Sequence, residues 1–257
     1  MPRALIIRTA GTNCDQETAF AFEKAGAEYD IVHVQRLTEH PAALSDYQIL
    51  AFPGGFSYGD DVAAGKVFAN EIKNKLGDAL AEFVDAGKLV IGICNGFQVM
   101  VKLGILPGPF SANGAKQTVT LTHNDSNKFE DRWVHLKIET DKCVFTRGLE
   151  RIYIPVAHGE GKFVAAETTL LDELESNGQI VFSYVGPDSE NCDYPWNPNG
   201  SHRDIAGICD PTGRALGLMP HPERHILPTQ HPRWTREGLK EEGEGLAIFR
   251  NAVEYFG

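Results

Sequence analysis

Over roughly its first hundred residues the chain alternates between two hydrophobic patterns. Short aliphatic or β-branched runs at 4–8, 29–34, 48–52 and 89–93 have strand length and almost no polar alternation, as expected of strands covered on both faces. Between them lie longer amphipathic stretches: 16–25, which stops at Gly26, then 62–75 and 78–86. Strand and helix taken in turn predict an α/β fold, an open and mostly parallel sheet with helices on both faces. Such sheets bind ligands outside the carboxyl ends of their strands.

From about residue 106 the pattern changes. Strand-like runs at 117–123, 133–139, 152–156 and 179–184 are separated by Pro, Gly and Asn clusters, and two more, 205–209 and 215–219, precede a last helix at 245–255. No repeat or low-complexity linker interrupts them, so residues 1–257 read as a single domain whose second half elaborates the first.

Composition narrows the partners. The chain has 257 residues, with 24 Lys+Arg against 35 Asp+Glu, a formal charge of −11. With no run of basic residues, neither a nucleic acid nor an anionic membrane surface is an expected ligand. The apolar stretch at 4–7 is too short for a signal-peptide core, and no later stretch reaches the ~18 residues needed to span a bilayer. The five cysteines are scattered without a C-x-x-C pair, which argues against a disulfide framework or a structural zinc site. These features describe a reduced, cytoplasmic protein acting on a small molecule or on another protein.

The most informative segment is Leu89-Val90-Ile91-Gly92-Ile93-Cys94-Asn95-Gly96-Phe97-Gln98. A buried strand, a G-x-C-x-G turn and a helix make a nucleophile elbow with cysteine as the reactive residue, the flanking glycines removing side chains that would collide in a tight turn. Amides at the start of the following helix favour a thiolate and can hold an oxyanion. A thiolate attacking a carbonyl needs a base, and the base an orienting group. Met219-Pro220-His221-Pro222-Glu223-Arg224-His225 offers both: its prolines exclude a helix interior, and in extended chain His221 and Glu223 project to the same side. His221, Glu223 and His225 also alternate like a two-histidine, one-carboxylate metal set, although no further ligand cluster supports that reading. A glycine-rich loop, Pro53-Gly54-Gly55-Phe56-Ser57-Tyr58-Gly59-Asp60, follows the third strand. Five residues separate Gly59 from the next lysine-bearing glycine and Val67 stands where a P-loop needs Ser or Thr, so backbone donors for an oxyanion are expected there rather than a nucleotide site. Cys14, near the end of the first strand, is a weaker candidate nucleophile: it lacks paired glycines and has no histidine nearby in sequence. Cys143, Cys192 and Cys209 read as structural thiols.

With these residues in place, the sequence closely resembles the class I, triad-type glutamine amidotransferases along nearly its whole length. The resemblance rests on the opening strand with Gly11-Thr12-Asn13-Cys14-Asp15, the loop from Pro53 to Asp60, the elbow around Cys94, the run Ala157-His158-Gly159-Glu160-Gly161, and Met219 to Arg224. It implies a flavodoxin-like amidotransferase domain and a catalytic triad of Cys94, His221 and Glu223. It further implies an oxyanion hole from the backbone amides near Gly55 and Asn95, contacts to glutamine from Gln98, His158 and Gly159, and no metal. The Phe-Ser-Tyr-Gly-Asp and Ala-His-Gly-Glu-Gly runs point to the branch that supplies ammonia to an ATP-using synthase of purine biosynthesis. By that resemblance this chain binds no cofactor; ATP and magnesium are expected on the partner synthase subunit, with a small bridging subunit as a further candidate partner. One departure is a stretch at 225–245, longer and more polar than a small stand-alone glutaminase subunit is expected to carry. A glutaminase subunit of another amidotransferase, a cysteine hydrolase or peptidase of similar fold, and a non-catalytic scaffolding subunit are the competing readings.

Overall fold

A computed structural model describes residues 1–111, 117–188 and 192–257. In chain order its regular elements are β1 (Arg3–Arg8), α1 (Asp15–Ala25), β2 (Glu28–His33), α2 (Val34–Glu39), β3 (Ile49–Phe52), α3 (Lys66–Asp85), β4 (Leu89–Ile93) and α4 (Asn95–Leu103). There follow β5 (Val119–Thr122), β6 (Glu130–Ile138), β7 (Arg151–His158), β8 (Lys162–Ala165), α5 (Thr168–Ser176), β9 (Ile180–Val185), β10 (Ile205–Cys209), β11 (Ala215–Leu218), α6 (Trp234–Glu237) and α7 (Leu246–Glu254).

Nine strands form one sheet in the order β2-β1-β3-β4-β11-β10-β9-β6-β7; β5 and β8 pair separately. The five strands from β2 to β11 are mutually parallel, and the remaining neighbours are antiparallel. Direction therefore alternates beyond β11, so β9 and β7 point the same way as β4, and only β10 and β6 oppose them. This is the open, mostly parallel sheet read from the sequence. Every residue of β3, β4, β9, β10 and β11 is buried, which is why these strands show continuous apolar runs.

The chain order explains where a site can form. From β1 the chain steps outward to β2, and from β3 it steps the other way to β4. Right-handed crossovers then place α1 and α3 on opposite faces and leave a crevice at the carboxyl ends of β1 and β3. α7 packs on α1, and α2 and α4 pack on α3, so each face has its own helical layer. Because β7 runs with β4 and β6 against it, the end of β7 at His158 and the start of β6 at Glu130 meet at this same edge.

The helices differ from expectation in several places. The expected break between 75 and 78 does not occur, and α3 is continuous through Gly77. Phe68, Ile72, Leu76 and Leu80, with Ala69 and Phe83, make one buried stripe, and its packing outweighs the roughly 1 kcal/mol that a helical glycine costs. The helix starts only at Lys66, because Gly65 is left-handed and lies against Val99 of α4, where a Cβ would come within 2.9 Å. α2, β8, α5 and α6 are elements that periodicity did not reveal. Among the described residues no helix is long and apolar enough to cross a membrane, and no cysteine is in a disulfide.

Candidate active site

Cys94 occupies the step from β4 to α4 with φ 53° and ψ −108°, a conformation that costs a non-glycine residue free energy and persists only where its surroundings enforce it. Both neighbouring glycines are sterically required. A Cβ on Gly96 would stand 1.9 Å from the carbonyl oxygen of Phe52, and one on Gly92 would stand 2.4 Å from the Met100 sulfur and 2.7 Å from the Gly96 oxygen. β4 is held centrally between β3 and β11, so the elbow is delivered to the carboxyl edge by the middle of the sheet. The Cys94 thiol lies 3.8 Å from the carbonyl oxygen of Ala157 on β7.

His221 and Glu223 follow β11, the strand next to β4. The run is not extended as expected: Pro222–Arg224 is a single 3-10 turn with proline at its first position, a place where the missing N–H is not needed. The turn still joins the pair. His221 Nδ1 lies 2.6 Å from Glu223 Oε1, with both side chains buried. The His221 N–H of the backbone donates to the Pro155 carbonyl, which fixes the turn to β7. His221 Nε2 and Glu223 Oε2 are buried without a hydrogen-bond partner. Burial alone would lower the His221 pKa; the Glu223 charge, the Cys94 sulfur and contacts with the Cys14 and Cys94 thiol groups overcome it and raise it well above the ordinary imidazole value. His225 does not complete a metal set with this pair. Its Nδ1 is 2.9 Å from the Tyr153 carbonyl and its ring packs edge-on against Trp133.

The loop after β3 closes the other wall. It crosses the loop after β1 through a bridge between Thr12 and Gly55, made by the Asn13 N–H to Gly54 and the Phe56 N–H to Gly11, so this bridge does not use the Gly55 N–H. Asn95 ties that loop to α4: its side-chain oxygen accepts from the Ser57 N–H at 3.2 Å, and its amide donates to Asp60 at 3.1 Å and to Gln98 at 2.9 Å. Gln98 in turn donates to the Glu160 carbonyl at 2.7 Å, so both ends of its amide serve the wall. Burial pushes the Asp60 carboxyl up, opposed by hydrogen bonds from Gly65 and Asn95.

A cleft of about 400 Å³ opens over these residues, lined among others by Cys94, His221, Gly55, Gln98, His158 and Gly159. Asn95 does not itself line the cleft; its side chain sits behind the wall, bonded to Asp60 and Gln98, which do. His158 is buried with Nδ1 3.1 Å from Asn124 Oδ1. Asn124 directs its amide nitrogen to the carbonyls of Lys128 and His158, so its oxygen faces the ring and His158 must donate through Nδ1. Burial, helped by the charge on His221, pushes this imidazole down to about 3, and it is neutral.

The cleft also contains residues that motif reading missed or undervalued. Arg224 and Asp60 lie inside quoted motifs, whereas Phe129 and Asp131 carry no sequence signal and arrive because β6 begins at this edge. Cys14 lacks an elbow, as expected, but the absence of a histidine does not survive folding. Its sulfur and ring and carboxylate atoms of His221 and Glu223 lie within 4.8 Å of one another.

Known proteins resemble the chain along its whole length. A model of the CobB/CobQ-like glutamine amidotransferase domain matches residues 1–256. The chain is 52% identical to the phosphoribosylformylglycinamidine synthase subunit PurQ of Dehalococcoides mccartyi, over 98% of this chain and 97% of that protein. It is 49% identical to the PurQ of Methanococcus maripaludis strain S2, over 100% and 98%. These full-length matches include the polar stretch 225–245, which is therefore no departure from stand-alone subunits. Among solved structures, that of PurLQS from Thermotoga maritima superposes with a TM-score of 0.76 at 32% identity, covering 100% of this chain and 99% of that one. A glutamine amidotransferase from Thermotoga maritima, at 17% identity and TM-score 0.55 over 99% and 97%, shares the fold. An elbow cysteine facing a buried His-Glu pair, on a chain matched end to end by these proteins, belongs to the glutamine amidotransferases and, within them, to the family of phosphoribosylformylglycinamidine synthase PurQ subunits.

Proposed function

We propose that this chain hydrolyses glutamine and passes the ammonia to an ATP-using synthase subunit that makes formylglycinamidine ribonucleotide in purine biosynthesis. The observation that carries the reading is the bare Nε2 of His221, held by Glu223 beside the strained Cys94 elbow. With the proton held on His221, the Cys94 thiolate attacks the side-chain amide carbon of glutamine. The developing oxyanion is held by the backbone amides of Gly55 and Asn95, one from each wall. His221 gives its proton to the departing nitrogen, ammonia leaves, and the same imidazole then activates water against the glutamyl thioester. Glu223 keeps the ring oriented through both steps.

Gln98, His158 and Gly159 shape the glutamine-facing wall. ATP and magnesium belong on the partner synthase subunit, a small third subunit completes the assembly, and the cytoplasm is the compartment where free thiols and this pathway coincide.

The test is mass spectrometry after incubation with a diazo-ketone analogue of glutamine, with and without the synthase subunit. The expected result is a single adduct on Cys94 that glutamine suppresses. An adduct insensitive to glutamine would move the chain to a general cysteine hydrolase, and no adduct on the folded complex would make it a scaffold.

A further inference from the structure

Arg224 follows Glu223 on the catalytic turn and lines the cleft, yet the catalytic scheme makes no use of it. One edge of its guanidinium reaches back to the start of α1: Nε donates to Glu17 Oε2 at 2.9 Å and Nη2 to the Cys14 sulfur at 3.2 Å. Both acceptors belong to one short segment, Cys14 just before α1 and Glu17 in its first turn. The Cys14 sulfur in turn stands within 4.8 Å of a ring nitrogen of His221 and a carboxylate oxygen of Glu223. From this chain of contacts we propose that Arg224 is a positioning residue for glutamine hydrolysis: by gripping Glu17 and the Cys14 sulfur together, it sets where the His221 ring rests relative to the Cys94 elbow. That role presupposes the glutaminase reading.

The His221 ring is confined on several sides. Glu223 holds its Nδ1 at 2.6 Å. Gly54 closes on its Cε1, where a Cβ would stand 2.8 Å away, and the same Cβ would stand 3.1 Å from the Cys14 sulfur. Sulfur and ring thus meet over one glycine, and a sulfur that moves away opens room into which the imidazole can tilt. Three bonds keep Cys14 in place: its N–H donates to the Gly54 carbonyl at 3.2 Å, its thiol donates to Asn13 Oδ1 at 3.3 Å, and its sulfur accepts from Arg224. Of these three partners, Arg224 is the one carried by the catalytic turn itself.

The chemistry of the guanidinium fits the task. Its donors lie in a rigid planar fork, so two acceptors fix both its position and its tilt, which a lysine ammonium cannot reproduce. Burial pushes the Cys14 thiol up, so the sulfur that Arg224 grips is uncharged. Glu17 takes the ion pair instead. Glu223 keeps one oxygen on His221 and the other buried without a partner, so its carboxylate bonds to the imidazole and not to the cation next to it in the chain. A displacement of about 1 Å between reacting groups can cost on the order of 100-fold in rate, which makes a support of this kind measurable.

The experiment measures glutamine-dependent and ammonia-dependent synthesis by the assembled synthase carrying Arg224→Lys, Cys14→Ala, or both. Arg224→Lys keeps the charge and loses the fork, so kcat with glutamine should fall about tenfold or more with KM within about twofold, while the ammonia-dependent rate stays at the wild-type value. Cys14→Ala removes the acceptor and no helix cap, since the Cys14 side chain makes no capping bond, and should cost a similar factor. Because both changes break one contact, the double variant should lose little more than either single one. Arg250→Lys, at an arginine paired with Glu242 outside the cleft lining, should change neither rate. A glutamine-dependent kcat within about threefold of wild type in Arg224→Lys would overturn the role. Losses that multiply in the double variant, or that fall equally on the ammonia-dependent rate, would overturn it too. A wild-type complex active with ammonia but inactive with glutamine would instead sink the glutaminase reading, and this role with it.

Discussion

The carbonyl oxygen of Phe52, at the end of β3, fills the space that a side chain on Gly96 would need, with only 1.9 Å between the oxygen and a Cβ built there. Two adjacent parallel strands and the helix after one of them are thereby pressed together behind the reactive sulfur. The elbow is strained because it is packed, and backbone rather than a yielding side chain does the packing.

Gly96→Ala is accordingly expected to cost about 3 kcal/mol or more of stability, since a backbone collision is harder to relieve than ordinary overpacking. Urea unfolding of the isolated chain measures this. A variant as stable as the wild type would show that the elbow is not held by this contact.

Glu223→Gln keeps the size of the side chain and removes its charge. Loss of the carboxylate weakens the hold on His221 and the stabilisation of its protonated form, so glutamine-dependent kcat in the complex should fall on the order of 1,000-fold. Synthesis from added ammonia should be spared, because only the glutaminase step needs the pair. A glutamine-dependent rate within about threefold of wild type would remove Glu223 from the mechanism.

Cys94→Ser should separate the two halves of the reaction more sharply. Hydrolysis of glutamine is expected to disappear while ammonia-dependent synthesis persists, and residual glutaminase above background would place the nucleophile elsewhere.

Asn95 holds the Gly55 loop and α4 in one arrangement through three hydrogen bonds. Asn95→Ala leaves the Ser57 N–H buried without that acceptor, an expected loss of about 1–3 kcal/mol. If Gly55 and Asn95 both hold the oxyanion, kcat should drop about tenfold or more while KM changes little. A pure KM effect would assign the residue to ground-state binding instead.

His158 gives the stability a defined dependence on pH. Its pKa in the folded protein, about 3, lies below the ordinary 6.5, so neutrality in the fold contributes stability that is complete above pH 6.5 and is lost as pH falls toward 3. Across that window the unfolded chain binds one more proton than the folded one, a slope of about 1.4 kcal/mol per pH unit. His158→Asn retains a donor toward Asn124 and cannot take up the proton, so this part of the slope should vanish in urea titrations at pH 4 to 6. Equal slopes in the two proteins would mean that His158 is already charged in the fold.

The sequence by itself determined the parts that local physics controls. Continuous apolar runs located the core strands, because a strand covered on both faces has no polar side to show. The glycines at 92 and 96 marked the elbow, because tight backbone contact tolerates no Cβ. Proline on either side of His221 excluded a helix, although it could not tell an extended run from the 3-10 turn that brings Glu223 back onto the ring. The order of the strands across the sheet was a tertiary decision. So was the arrival of β6 and β7 at the catalytic edge, which put Phe129, Asp131 and His158 around the cleft. Cys14 shows the limit most clearly: 207 positions before His221 in the chain, it meets that ring only because β1 and β11 both end at one edge of the sheet, a proximity that no local pattern encodes.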